Sequence, residues 1–197
     1  MKNSIKKNSS RHSMIFIVIT IAITSLGNGI VTPVLPFLIK ELSNSSVSSA
    51  ASWGGLLVSV YAIVLFFASP AIGSMSDIYG RRPFLIYALL LLSIDYVIMA
   101  IAPNLLILFI GRIASGLGSA TFAVATAYII DVSHPEDRIK NFGLAGAGTS
   151  IGIAAGPAIG GLVGELGTRA PFYAASFIVL ATLIYGFLVL PETLPKN

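Results

Sequence analysis

The sequence predicts an all-α integral membrane protein of six transmembrane helices arranged as two inverted three-helix repeats. Three observations carry that expectation. Of the 197 residues 55% are apolar and only 10% charged, with a mean hydropathy of +0.90, which an ordinary soluble domain does not sustain. Six apolar stretches, at about residues 14–39, 53–72, 83–102, 105–130, 141–163 and 171–190, each reach the roughly 18 residues needed to cross a hydrocarbon core as a helix. Finally, one phrase occurs twice. Pro70-Ala71-Ile72-Gly73 opens the first copy and Pro157-Ala158-Ile159-Gly160 the second. Counted from the two prolines, Gly80 matches Gly167 and Arg82 matches Arg169, while Asp77 and Pro83 match Glu165 and Pro171 with a slip of one residue.

The first copy joins the second and third spans, and the second copy joins the fifth and sixth. Three spans separate them, and an odd number of spans turns the later copy upside down relative to the earlier one. Orientation follows from Lys and Arg, which resist translocation. With both termini inside, the inner segments hold Lys2, Lys6, Lys7, Arg11, Arg81, Arg82, Arg138, Lys140 and Lys196, and the outer loops only Lys40 and Arg169. Trp53, Phe172 and Tyr173 then fall at outer helix ends, where amphipathic rings favour the interface. The same bias accounts for the net charge of +4 without a nucleic-acid partner. The absence of cysteine excludes disulfides, thiolate metal sites and a cysteine nucleophile.

Taken in order, residues 1–13 form a basic amino-terminal segment on the cytoplasmic side. The apolar run that follows is about twice the length of a signal-peptide core and contains Pro33 and Pro36, against cleavage. Gly27-Asn28-Gly29 and the two prolines predict an irregular first helix facing a cavity, where uncovered backbone is tolerated. Asn28, with Thr24 one turn earlier, is a candidate substrate contact; a hydrogen bond from Asn28 to a neighbouring helix is the commoner alternative. In the connection after the second span, Gly73 and Gly80 permit tight turns, Pro83 suits the first turn of the third helix, and Arg81 and Arg82 hold the connection inside. Asp77 can pair with these arginines or face a helix N-terminus.

Two ionisable residues lie within apolar spans, Asp95 in the third and Arg112 in the fourth, and both need a partner or a wet cavity. The turn between these spans falls at Pro103-Asn104. Asp95 lies as far before it as Arg112 lies after, so a helical hairpin brings them to similar depth, about 12 Å from the turn. They can form an ion pair, either purely structural or a proton-coupled switch. The fifth span carries Gly148, Gly152, Gly156, Gly160 and Gly164 in steps of four, with Pro157 and Gly161 beside them. Such spacing presents one small-residue face for close helix approach, and Pro157 removes a backbone hydrogen bond and bends the helix. The membrane bundle ends near residue 191, and residues 192–197 begin a cytoplasmic linker.

Several of these motifs share a family likeness. Gly73-Ser74-Met75-Ser76-Asp77-Ile78-Tyr79-Gly80-Arg81-Arg82-Pro83 closely resembles the signature between the second and third helices of the major facilitator superfamily. Gly152 to Gly161 resembles the fifth-helix motif of its drug/proton antiporter branch. With Gly111-Arg112, Ser93-Ile94-Asp95-Tyr96 and Pro191-Glu192-Thr193, the likeness extends to tetracycline/proton antiporters and covers nearly the whole chain in order. Thr24-Ser25 departs from it, since those pumps typically carry an acid at this place in the first helix. The resemblance implies one six-helix half of a major facilitator fold. It also implies that the Gly73–Pro83 segment acts as a cytoplasmic latch and Arg112 in proton coupling. The substrate path would lie against a second six-helix half, in the same chain or another.

The expected function is transmembrane transport in the cell membrane. This chain would be the amino-terminal half of a proton-coupled efflux antiporter for amphipathic drug-like compounds, tetracycline-like ones included, needing no cofactor beyond the proton gradient. An uptake symporter of the same superfamily and a non-transporting half-module that pairs with another half are the alternatives. An enzyme is not expected: no His-Glu-x-x-His pair and no Gly-Lys-Ser/Thr phosphate loop occurs.

Overall fold

The computed structural model describes residues 2–43, 47–120 and 122–192, with side chains from residue 13 onward except at Val47. Thr193, Leu194, Pro195, Lys196 and Asn197, and with them most of the expected linker, lie outside the described residues. So do the side chains of Lys2, Lys6, Lys7 and Arg11. The elements are α1 (Lys2–Ser43), α2 (Val47–Tyr79), α3 (Arg81–Ile101), α4 (Leu105–Ser119), α5 (Phe122–Val132), a single 3-10 turn at Pro135–Asp137, α6 (Arg138–Gly164) and α7 (Ala170–Val189). They supply six helical stretches long and apolar enough to cross a membrane, with α4 and α5 together forming the fourth.

The packing repeats itself. α1 lies chiefly against α6, and α2 chiefly against α4; α3 lies against α4, and α7 against α1; α3 and α7 face each other. Exchanging the first span with the fourth, the second with the fifth and the third with the sixth interchanges the first two pairings, interchanges the next two, and returns α3 with α7 to itself. That invariance is what two copies of one three-helix unit produce.

Because lipid tails are as apolar as leucine, burial of hydrocarbon does little to hold such helices together, and close backbone contact does more. The α1/α6 seam illustrates this. Gly148, Gly152, Gly156 and Gly160 are buried along one face of α6. A Cβ at Gly160 would stand 2.7 Å from the carbonyl oxygen of Ile30, one at Gly152 would overlap Ala22, and one at Gly156 would overlap Gly29. On α4, Gly116 does the same against α2, where a Cβ would meet Val64 and the carbonyl of Tyr61 at 2.8 and 2.9 Å.

Three expectations are corrected. Gly73 to Tyr79 is not a loop but the last two turns of α2; Gly73 makes no turn, and only Gly80, at φ 105°, breaks the chain direction. Glycine, serine and a charge read as a connection, yet Ser74 and Ser76 donate to the carbonyls of Ala71 and Gly73 and so stay compatible with helix. α1 runs unbroken through Pro33 and Pro36. Both prolines lie on its exposed face, so their rings do not intrude on the packing of α1 against α6. Phe172 does not present its ring to lipid: it is fully buried, in the same core cluster as Ala175 and Val179, while Trp53 and Tyr173 are exposed.

Candidate functional site

α3 and α4 leave a turn at Ala102–Asn104, and the Asn104 side chain accepts from the amide of Ile107 to start α4. The hairpin brings Asp95 and Arg112 together as the spacing predicts: Arg112 Nη2 donates to Asp95 Oδ2 and also reaches Met99 Sδ at 3.3 Å. Asp95 is completely buried, whereas the Arg112 side chain is 13% exposed. Gly111 makes room for the carboxylate, since a Cβ there would come within 2.7 Å of Asp95 Oδ1. That oxygen has no hydrogen-bond partner among the described residues. A charge pair in this position is costly to assemble, and removing one member leaves the other unpaired in an apolar surrounding.

Arg112 opens onto a cavity of about 730 Å3 between α1, α2 and α4, with Thr32, Phe37, Lys40, Val58 and Tyr61 on its walls. A second cavity of about 500 Å3 continues along α1 and includes Thr20, Thr24, Ser25, Ser69 and Ser119. Asn28 and Tyr61 line both. Asn28 accepts a hydrogen bond from the Tyr96 hydroxyl at 3.3 Å yet remains exposed, so the helix contact and a cavity-facing position coexist. Thr24 donates to the carbonyls of Thr20 and Ile21 at 3.0 Å. Tyr61 and Thr20 were not legible as site residues, because only the convergence of α1 with α2 gives them a common cavity.

The two copies of the repeated phrase build matching clamps at opposite ends of the bundle. Gly80 and Gly167 are the two glycines with positive φ among the described residues, at 105° and 134°. After Gly80, Arg81 pairs with Asp131 at the end of α5 at 3.1 Å, and Arg82 donates to the carbonyl of Phe187 in the last turn of α7 at 2.8 Å. After Gly167, Arg169 alone performs both tasks: it pairs with Glu41 at the end of α1 at 3.3 Å and donates to the carbonyl of Ala100 in the last turn of α3 at 3.0 Å. The partners correspond under the same exchange of spans that relates the packing.

Around the first clamp, Asp77 pairs with Arg81 at 2.5 Å, one of its two expected roles. The other role falls to Glu192, whose carboxylate accepts from the amides of Arg81 and Arg82 at 3.1 and 3.3 Å. An anion there offsets the partial positive charge at the start of α3. Gly80 is closed against it, as a Cβ would overlap the Glu192 carboxylate. The fifth-span motif divides: Gly148, Gly152, Gly156 and Gly160 pack on α1, while Pro157 and Gly161 are exposed on another face, Gly161 with nothing within 4 Å of a Cβ.

Residues 17–197 match the profile of the Major Facilitator Superfamily. The chain belongs to that superfamily. Among similar members, the class C tetracycline resistance protein of Escherichia coli is 42% identical over 184 residues, spanning 93% of this chain and 46% of that protein. The class B protein of Escherichia coli is 38% identical, spanning 94% and 45%. Multidrug resistance protein 2 of Bacillus subtilis (strain 168) is 32% identical, spanning 96% and 47%. The chain thus spans about half the length of the curated relatives it matches. Among solved structures, the human organic anion transporter MFSD10 superposes with a TM-score of 0.83 at 22% identity, over 94% of this chain and 49% of that one. The proton:xylose symporter XylE gives 0.79 at 18%, over 94% and 46%. At those identities the likeness establishes the fold: a six-helix bundle that corresponds to one half of the major facilitator architecture.

Proposed function

We propose that this chain works as the amino-terminal half of a proton-driven exporter of amphipathic, drug-like compounds, tetracycline-like ones among them. It would act with a second six-helix half that supplies the opposite wall of the cavity. The observation that carries the reading is the Asp95–Arg112 pair at the edge of the larger cavity, with the carboxylate sealed and the arginine facing inward. Protonating Asp95 neutralises it and releases Arg112, which changes the charge of the cavity wall and so biases one access state over another. The inward proton flow then drives efflux without a cofactor. Similarity to tetracycline and multidrug resistance proteins supports the direction and the compound class.

The excess of Lys and Arg on one side supports a cytoplasmic location for both termini and for the Gly73, Asp77, Gly80, Arg81 and Arg82 segment. In that position the segment serves as a latch towards the second half. Proteoliposomes holding the complete two-half protein, with an imposed pH gradient, test the reading. Uphill tetracycline transport is expected to follow the gradient and to be lost in Asp95→Asn. Transport that ignores the gradient and survives Asp95→Asn sinks it.

A further inference from the structure

Under the exchange of spans that relates the packing, the end of α2 corresponds to the end of α6. Asp77 and Glu165 occupy matching places in the repeated phrase, and each is followed directly by a large apolar residue, Ile78 or Leu166. Both apolar side chains are left uncovered, 75% and 84% exposed. The positive-φ glycines, Gly80 and Gly167, stand just beyond them. The repeat has thus kept an acid, an uncovered apolar side chain and a sharp change of chain direction at opposite ends of the bundle.

The ties near Gly167 are made by Arg169, and Glu165 and Leu166 take no part in them. The Glu165 carboxylate is exposed and has no ion pair or hydrogen bond among the described residues, whereas Asp77 is paired with Arg81. Leu166 lies in the turn between α6 and α7, past the last residue of the spanning helix, where water rather than hydrocarbon is its default surrounding. An apolar side chain in water gains from being covered. A carboxylate gains from a positive partner, which in this molecule is an arginine or the first amides of a helix, as at Glu192. No described residue supplies either, and the chain spans about half the length of the relatives it matches.

We propose that Glu165 and Leu166 form a second latch, which grips the second six-helix half at the end of the bundle opposite Asp77 and Ile78. Its partner on that half is a positive group, a helix start or a basic side chain, beside an apolar seat. Rocking of one half against the other opens one end as it closes the other, so the two latches alternate. The inference rests on the Gly73 to Arg82 segment being a latch towards a second half, and adds to that reading the element that holds the opposite end closed.

Labelling rates in membranes carrying the intact two-half protein, without any pH gradient, test it. The reporter is Ser74→Cys, read with a membrane-impermeant maleimide in inside-out vesicles, because it lies at the far end of the bundle from the substitutions. Glu165→Gln combined with Leu166→Ser weakens the second latch and shifts the population towards the state closed near Gly80. Labelling of Ser74→Cys is then expected to slow about fivefold. Glu165→Asp combined with Leu166→Ile keeps the charge and the apolar surface, and should leave the rate within about twofold of the parent. Asp77→Asn reads the first latch separately, and is expected to slow labelling of Thr168→Cys in right-side-out vesicles. An unchanged Ser74→Cys rate in the first variant means that Glu165 and Leu166 meet only lipid and water, and overturns the second latch whatever Asp77→Asn does. Equal slowing in the conservative variant overturns it too. Slowing confined to the first variant, with no effect of Asp77→Asn on Thr168→Cys, sinks the first latch and leaves the second standing.

Discussion

Gly156 and Gly161 lie five residues apart on α6 and tolerate a methyl group very differently. At Gly156 the new Cβ collides with the backbone of Gly29, which cannot yield without moving α1. Gly156→Ala is therefore expected to destabilise the bundle by about 1–3 kcal/mol. At Gly161 the space is open and the helix gains only the conformational advantage of alanine, about 0.5–1 kcal/mol. Thermal unfolding in one detergent should place the two midpoints on opposite sides of the parent, and equal midpoints would contradict the packing. Steps of four made this seam readable from sequence. What spacing could not reveal is which glycines beside the stripe touch anything, because that depends on where α1 lies.

At the scale of an element, the start of α3 is held by a residue more than a hundred positions away. Glu192 covers the amides of Arg81 and Arg82. Replacing its charge in Glu192→Gln should cost that helix end about 1 kcal/mol. Hydrogen exchange at those two amides is expected to speed about fivefold, with the amides in the middle of α3 unaffected; uniform acceleration along α3 would point to general loosening instead. The depth match of Asp95 and Arg112 was legible because a hairpin converts equal spacing from a turn into equal height. The Glu192 cap was not, since Asp77 stands nearer in sequence and both of its roles, pairing with an arginine and facing a helix start, stayed open until the structure placed it against Arg81. The helical state of Gly73 to Tyr79 was hidden for a related reason: glycine and serine mark turns unless the surrounding helix absorbs them.

For the whole molecule, six spans and a duplicated unit followed from composition and from the repeated phrase. The cavities did not, because they form between helices distant in sequence. Topology remains directly measurable, as the chain has no cysteine of its own. With both termini inside, Ser74→Cys should react with a membrane-impermeant maleimide only in inside-out vesicles, and Thr168→Cys only in right-side-out vesicles. Reaction of both from one side would contradict the inverted repeat.

The two clamps differ in redundancy. At the end near Gly80, the duties are divided between Arg81 and Arg82, so losing either leaves one tie intact. At the end near Gly167, Arg169 holds both ties by itself. A single exchange there removes the polar ties from the start of α7 to α1 and to α3 at once. Arg169→Gln should accordingly lower the unfolding midpoint more than Arg82→Gln does, and a chain of duplicated parts would prove most fragile where its second copy kept one arginine in place of two.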